Sequence, residues 1–118
     1  MKVFHAVAEA TNYESSWSIQ PYREALWRAA LQVESLDGYF DMAPAASAAG
    51  ILTAAIDRFD THTEELRPLV AAEDFAGLYG NKRIFQGMRK FLNANGGHIT
   101  GAIDQSELDA PDGGDSTP

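Results

Sequence analysis

Three histidines, His5, His62 and His98, are the side chains best suited to move protons or ligate a metal near neutral pH. His62 and Glu65 stand three apart, the spacing that puts a histidine and a glutamate on one helix face in di-metal carboxylate proteins. Those sites repeat the pair on a facing helix, and the sequence holds no second copy. Asp57, Asp60 and Glu64 line one side of the same segment, where a hard cation could sit; otherwise they form a solvated face. His5 and His98 would share one small sheet if the two terminal segments pair, yet a histidine pair without a placed nucleophile or acid is not a mechanism. There is no cysteine, which excludes disulfides, thiolate nucleophiles and Cys-ligated zinc. The expectation is therefore a chain with no catalytic set, no metal and no cofactor.

The sharpest local string is Gly80-Asn81-Lys82-Arg83, followed by a helical stretch and Phe91-Leu92-Asn93-Ala94-Asn95-Gly96. It resembles the end of the Fic/Doc family motif, in which a loop opening a helix cradles nucleotide phosphates through backbone N–H groups and a basic residue. The resemblance implies a nucleotide loop at 80–83. Phe75 stands where that family has its catalytic histidine and Tyr79 where it has its metal-binding acid, so base and metal would both be missing. The same segment segregates charge. Lys82, Arg83, Arg89 and Lys90 fall opposite Ile84, Met88 and Phe91, and no acid interrupts them. Such a face either docks an acidic partner surface or a phosphate, or is solvated and balanced by Glu73, Asp74 or the acids Asp104, Glu107 and Asp109.

A second candidate surface lies on the first helix. Trp27 and Leu31 sit nearly opposite the stripe of Tyr22, Leu26 and Val33, and Arg23 is one turn from Trp27. A helix that is apolar on two sides must bury both. Either the terminal segments cover Trp27 within the monomer, or a second copy or a different protein does, since tryptophan and arginine are enriched in binding hot spots.

The elements that would position these residues are read from periodicity. Lys2 to Ala8 suits a strand, although Val3, Val7 and Ala10 also make a helical stripe. Residues 12–18 read as a polar loop carrying Trp17. Pro21 opens a helix over 21–37, with Gly38 as its left-handed cap. The small residues 43–50 start a closely packed helix over 44–67, ended or kinked by Pro68 and about 36 Å long. A short helix over 68–78 stops at Gly77 and Gly80, and Asn81 caps another to about Asn93. Residues 98–103 form a strand whose natural partner is the N-terminal segment. The expected fold is mainly α: a compact bundle of three to four helices with a small two-stranded sheet pairing residues 2–8 with 98–103. The domain spans 1–103, followed by an acidic, disordered tail over 104–118.

Composition bounds the function. At 118 residues with 45% hydrophobic side chains the chain can fill one core. A formal charge of −8 disfavours direct binding to nucleic acid. No run approaches the ~18 apolar residues of a membrane span, and the N-terminus makes a poor signal peptide, so a cytoplasmic location in the protein's own or a host cell is expected. These features favour a non-enzymatic protein-binding module, such as a small inhibitor, adaptor or immunity-type factor acting on a larger machine that handles nucleic acid. In one version Asp57, Asp60 and Glu64 mimic nucleic acid. The alternatives are an enzyme or small-ligand binder, using either a nucleotide site at 80–83 or a pocket near His5 and His98, and a structural subunit of an oligomer.

Overall fold

The computed structural model describes residues 2–11, 13–37, 39, 40 and 42–104, the last three by backbone alone. The chain runs β1 (Lys2–Val7), β2 (Glu14–Ile19), a 3-10 turn at Pro21–Arg23, α1 (Glu24–Leu31), β3 (Ala43–Pro44) and α2 (Ala45–Thr61). It continues through α3 (Thr63–Leu66), a 3-10 turn at Arg67–Leu69, α4 (Gly77–Asn95) and β4 (His98–Asp104). The strands form one antiparallel sheet in the order β2-β1-β4-β3. The fold is therefore α+β, which corrects the expected mainly-α bundle with a two-stranded sheet. The expected pairing of the N-terminal segment with residues 98–103 does form, with Val7 opposite His98 and Lys2 opposite Asp104. It is the middle of a larger sheet.

Strand alternation sorts the sheet into two faces. Phe4, Ala6, Ile19 and Ile99 turn inward and are buried, with Trp17 packed beside them. His5, Val7, Glu14, Ser16, Ser18, His98 and Thr100 belong to the other face. β2 occupies residues expected to be a loop. Glu14, Ser16 and Ser18 are its solvent side, while Trp17 and Ile19, on the inward face with Ser15, hold it to the core. β4 carries one extra residue where β1 passes from Val3 to His5, a bulge at which Gly101 meets Phe4. A Cβ on Gly101 would lie 2.1 Å from Phe4 Cδ1, so only glycine lets that ring cross the strand.

The helices depart from the expected lengths for local reasons. α1 ends at Leu31, not 37, because Gln32 takes a left-handed conformation (φ 59°, ψ 48°) and Val33 N–H donates back to Arg28 O. Gly38, the expected cap, lies outside the described residues, as do residues 105–118 of the expected tail, while Asp104, the first residue of that tail, belongs to β4. The helix expected over 44–67 breaks at His62 (φ −122°, ψ 36°). The hydroxyls of Thr61 and Thr63 donate there to the Asp57 and Phe59 carbonyls, a bonding pattern that bends helices. No helix spans 68–78; Pro68 sits in the 3-10 turn, and the chain then runs irregularly to α4. Gly77, at φ +67°, turns the chain into α4 instead of stopping a helix, so Asn81 lies inside the helix and does not cap it. The end at Asn95 with Gly96 beyond follows the expected pattern.

α2 and α4 pack antiparallel, as the pairs Thr53–Arg89 and Asp60–Lys82 require. Ala45, Ala48 and Ala55 are buried in α2, the close packing that small residues permit. At the centre, the Trp27 ring lies between Phe4 of the sheet (5.7 Å between ring centroids) and Phe85 of α4 (4.1 Å). No helix among the described residues is long and apolar enough to cross a membrane.

Candidate functional site

The first-helix surface is not available for docking. Trp27 is fully buried and Leu31 is 5% exposed. Of the readings left open for the indole, coverage within the chain is the one realised, by β1 and α4. Its Nε1–H donates to Asn81 Oδ1 at 2.8 Å. The Asn81 amide in turn donates to Asp74 Oδ2 (2.9 Å) and Gly77 O (2.7 Å). Arg23 holds Asp74 with two bonds, Nε to Oδ2 at 3.1 Å and Nη2 to Oδ1 at 3.0 Å, and the Ala76 N–H donates to Oδ1. Burial pushes the Asp74 carboxyl up, but the Asn81 amide, the Arg23 guanidinium and the Ala76 N–H outweigh it and hold it below the usual carboxylate value. Arg23, Trp27 and Asn81 are thus structural. Asp74, the hub of this network, gave no signal beyond its place among acids near the basic segment.

The same placement removes the nucleotide loop implied at 80–83. Those residues lie within α4, the Gly80 N–H donates to Ala76 O, and the Asn81 amide is consumed inside the core. A phosphate cradle needs free N–H groups at a loop-to-helix opening, so the resemblance to Fic/Doc does not extend to geometry.

The outer face of α4 is assembled as the periodicity predicts, but two of its four cations are partly used. Lys82 Nζ lies 2.8 Å from Asp60 Oδ1 and its side chain is 18% exposed. Arg89 donates to Thr53 Oγ1 at 3.2 Å. Arg83 stacks its guanidinium over the Tyr79 ring, 5.2 Å from the centroid, and Lys90 is exposed. α4 contains no acid along its length. A shallow depression of about 520 Å³ is lined by Gln86, Arg89, Lys90, Asn93 and Ala94. A groove of about 360 Å³ runs beside Phe59, Thr63, Arg67, Leu78, Tyr79 and the paired Asp60 and Lys82. At that end Phe75 is 97% exposed and Tyr79 66%. Both positions attracted notice in the sequence only as departures from a motif. Their exposure was hidden because periodicity does not show that both aromatics of the 75–79 stretch face water.

The acidic positions on the α2–α3 segment are interleaved with bases. Asp57, Asp60 and Glu64 are all exposed, Asp60 is paired with Lys82, and Glu64 lies 3.4 Å from Arg67. A continuous carboxylate track resembling nucleic acid is not formed by these three. His62 is exposed and shares a 2.8 Å contact with Thr61 Oγ1. Among the described residues, no group of three or more His, Asp or Glu could hold a metal ion.

His5 and His98 do share the outer sheet face, with His98 opposite Val7 and His5 opposite Ser16. His5 Nδ1 lies 3.0 Å from Ser16 Oγ, and Nε2 lies 3.1 Å from Glu14 Oε1. Reading residues 12–18 as a loop concealed this, since only strand pairing sets Ser16 against His5. Neither protein-family models, nor curated proteins, nor solved structures match this chain.

Proposed function

We propose that the protein works by binding another protein, as a small inhibitor, adaptor or immunity-type factor, and that it seats an acidic segment of its partner on the outer face of α4. The observation that carries this reading is the exposure of Phe75 and Tyr79, at 97% and 66%, at the start of a helix that carries Lys82, Arg83, Arg89 and Lys90 and no acid. Burying a phenylalanine side chain is worth about 1.5–3 kcal/mol, so an aromatic left in water there offers an anchor. Arg83 is already stacked on Tyr79, which reduces the ordering cost of using it. The chain is acidic overall, at −8, so an acidic segment gains most where cations gather without an acid among them, as on α4.

A fluorescein-labelled peptide alternating Glu and Leu, followed by polarisation at low salt, tests the assignment. Binding should weaken at least tenfold for Arg83→Glu/Lys90→Glu and by about tenfold or more for Phe75→Ala, given the anchor energy above. Equal binding by the charge-reversed variant and the parent removes the reading. A second reading, self-association, is favoured by β2. That strand forms a sheet edge of six residues, with neither proline nor lysine nor a bulge to blunt it. Light scattering that returns 12.8 kDa across a concentration series would eliminate it.

A further inference from the structure

We infer that Ser16 is an activated nucleophile, prepared by His5 and Glu14 to accept an acyl group from an activated ester. The three side chains come from two adjacent strands. Ser16 and His5 are directly opposite in the β1–β2 register, and Glu14, two residues before Ser16 and on the same face, reaches the far side of the imidazole.

The hydrogen bonds dictate the tautomer. An ionised Glu14 carboxylate can only accept, so the imidazole N–H sits on Nε2, which donates to Oε1 across 3.1 Å. Nδ1 is left with its lone pair, and across 3.0 Å it accepts the Ser16 hydroxyl. That is the protonation state a general base needs when a serine is its substrate. Glu14 is the positioning residue: it fixes the tautomer and steadies the imidazolium that forms. Ser16 is solvent-exposed, so an electrophile reaches it without rearrangement of the fold.

Every atom in the step is accounted for. A bond forms between Ser16 Oγ and the ester carbonyl carbon as the bond from that carbon to the leaving oxygen breaks. The hydroxyl proton passes to His5 Nδ1 and then to the leaving oxygen, which departs as an alcohol or phenol. The product is an acyl-serine. This site is on the outer sheet face, apart from the α4 surface, and does not depend on the docking proposal.

The same strand contains an internal control. Ser18 is exposed on the same face but stands opposite Val3, where Ser16 stands opposite a histidine. The protein is treated with a fluorophosphonate probe, which traps activated serines by forming an O–P bond with loss of fluoride. Mass spectrometry with fragmentation then resolves labelling at each serine. Ser16 should react about 100-fold faster than Ser18, the lower end of what a positioned general base contributes. His5→Gln should bring the two rates together. Glu14→Gln, whose amide can hold the imidazole in the wrong tautomer, should lower the ratio at least tenfold, and Glu14→Asp should restore part of it. Because Ser16 and Ser18 are compared within one folded molecule, loss of folding in a variant cannot imitate the parent result. A parent ratio below about ten, the smallest advantage that would exceed ordinary differences in exposure, overturns the inference. A ratio that survives His5→Gln overturns it as well.

Discussion

Replacing Asn81 with aspartate changes one buried nitrogen to oxygen and almost nothing in shape, so it isolates the polar network that joins α1 to α4. The new carboxylate could still accept from Trp27 Nε1. Where the amide nitrogen had donated to Asp74 Oδ2 at 2.9 Å and Gly77 O at 2.7 Å, an acceptor would now face two acceptors. Asp74 Oδ2 would keep its bond from Arg23 Nε, so the cost is that of a second buried carboxylate with no cation of its own, about 3–5 kcal/mol, or about 4 kcal/mol at pH 7. For a chain of this length that is a fall in Tm of about 16 °C, at about 4 °C per kcal/mol. The pH dependence gives the sharper test. In the parent, the lowered folded pKa of Asp74 contributes stability that is complete above the ordinary carboxylate range and is lost as pH falls through the folded value. In Asn81→Asp, two facing carboxyls share a proton that the unfolded chain would already have released. That proton's contribution is full at acid pH and is lost as pH rises through the pair's raised value. Thermal melts followed by circular dichroism from pH 7 to 4 should therefore show the gap between variant and parent narrowing. A gap that widens on acidification, or a Tm within about 4 °C of the parent at pH 7, refutes the account of this network.

Other substitutions probe the backbone and the surface. Gly97→Ala should be severely destabilising, because Gly97 sits at φ +84° and an added Cβ would lie 1.8 Å from Val7 O; urea unfolding measures the loss. Gly101→Ala, where the obstacle is the Phe4 ring, should cost about 1–3 kcal/mol by the same measurement. Gly50→Ala in α2 and Gly87→Ala in α4 have open space and should each add about 0.5–1 kcal/mol; a loss at either site would contradict the helix assignment. Phe75→Ala should leave stability within about 0.5 kcal/mol, since the ring contacts mostly water, and a larger loss would mean that it packs somewhere.

Much of the helical layer was legible because its periodicity is set by burial. Leu52, Ile56 and Phe59 in α2, and Phe85, Met88 and Leu92 in α4, are buried at the spacing that made them readable. The sheet was half legible. β1 carries an apolar stripe, but β2 shows water only serines and a glutamate, and strands whose outer face is polar look like loops until a partner is known. Helix ends were misplaced where an unusual residue does the work: Gln32, not a glycine, takes the left-handed turn, and two threonines bend the chain at His62. At the surface, the alignment of Lys82, Arg83, Arg89 and Lys90 was predictable from spacing. The contact between His5 and Ser16 was not, because it depends on strand register. Trp27 misled for a related reason, since its position opposite the first stripe suggested a partner before the sheet that covers it was known.

The order of strands in the sheet bears on how the chain comes to be folded. β1 is central, flanked by β2 and by β4, so one of its two neighbours among the described residues comes from far downstream, beyond α4. Asp74 and Asn81 likewise reach Arg23 and Trp27 from far downstream. A nascent chain that ends before α4 therefore has a bare strand edge and an uncovered indole, the two features that most invite misassociation. Productive collapse must await the synthesis of α4 and β4, and shielding by the ribosome or a chaperone during that interval should raise the yield of native protein.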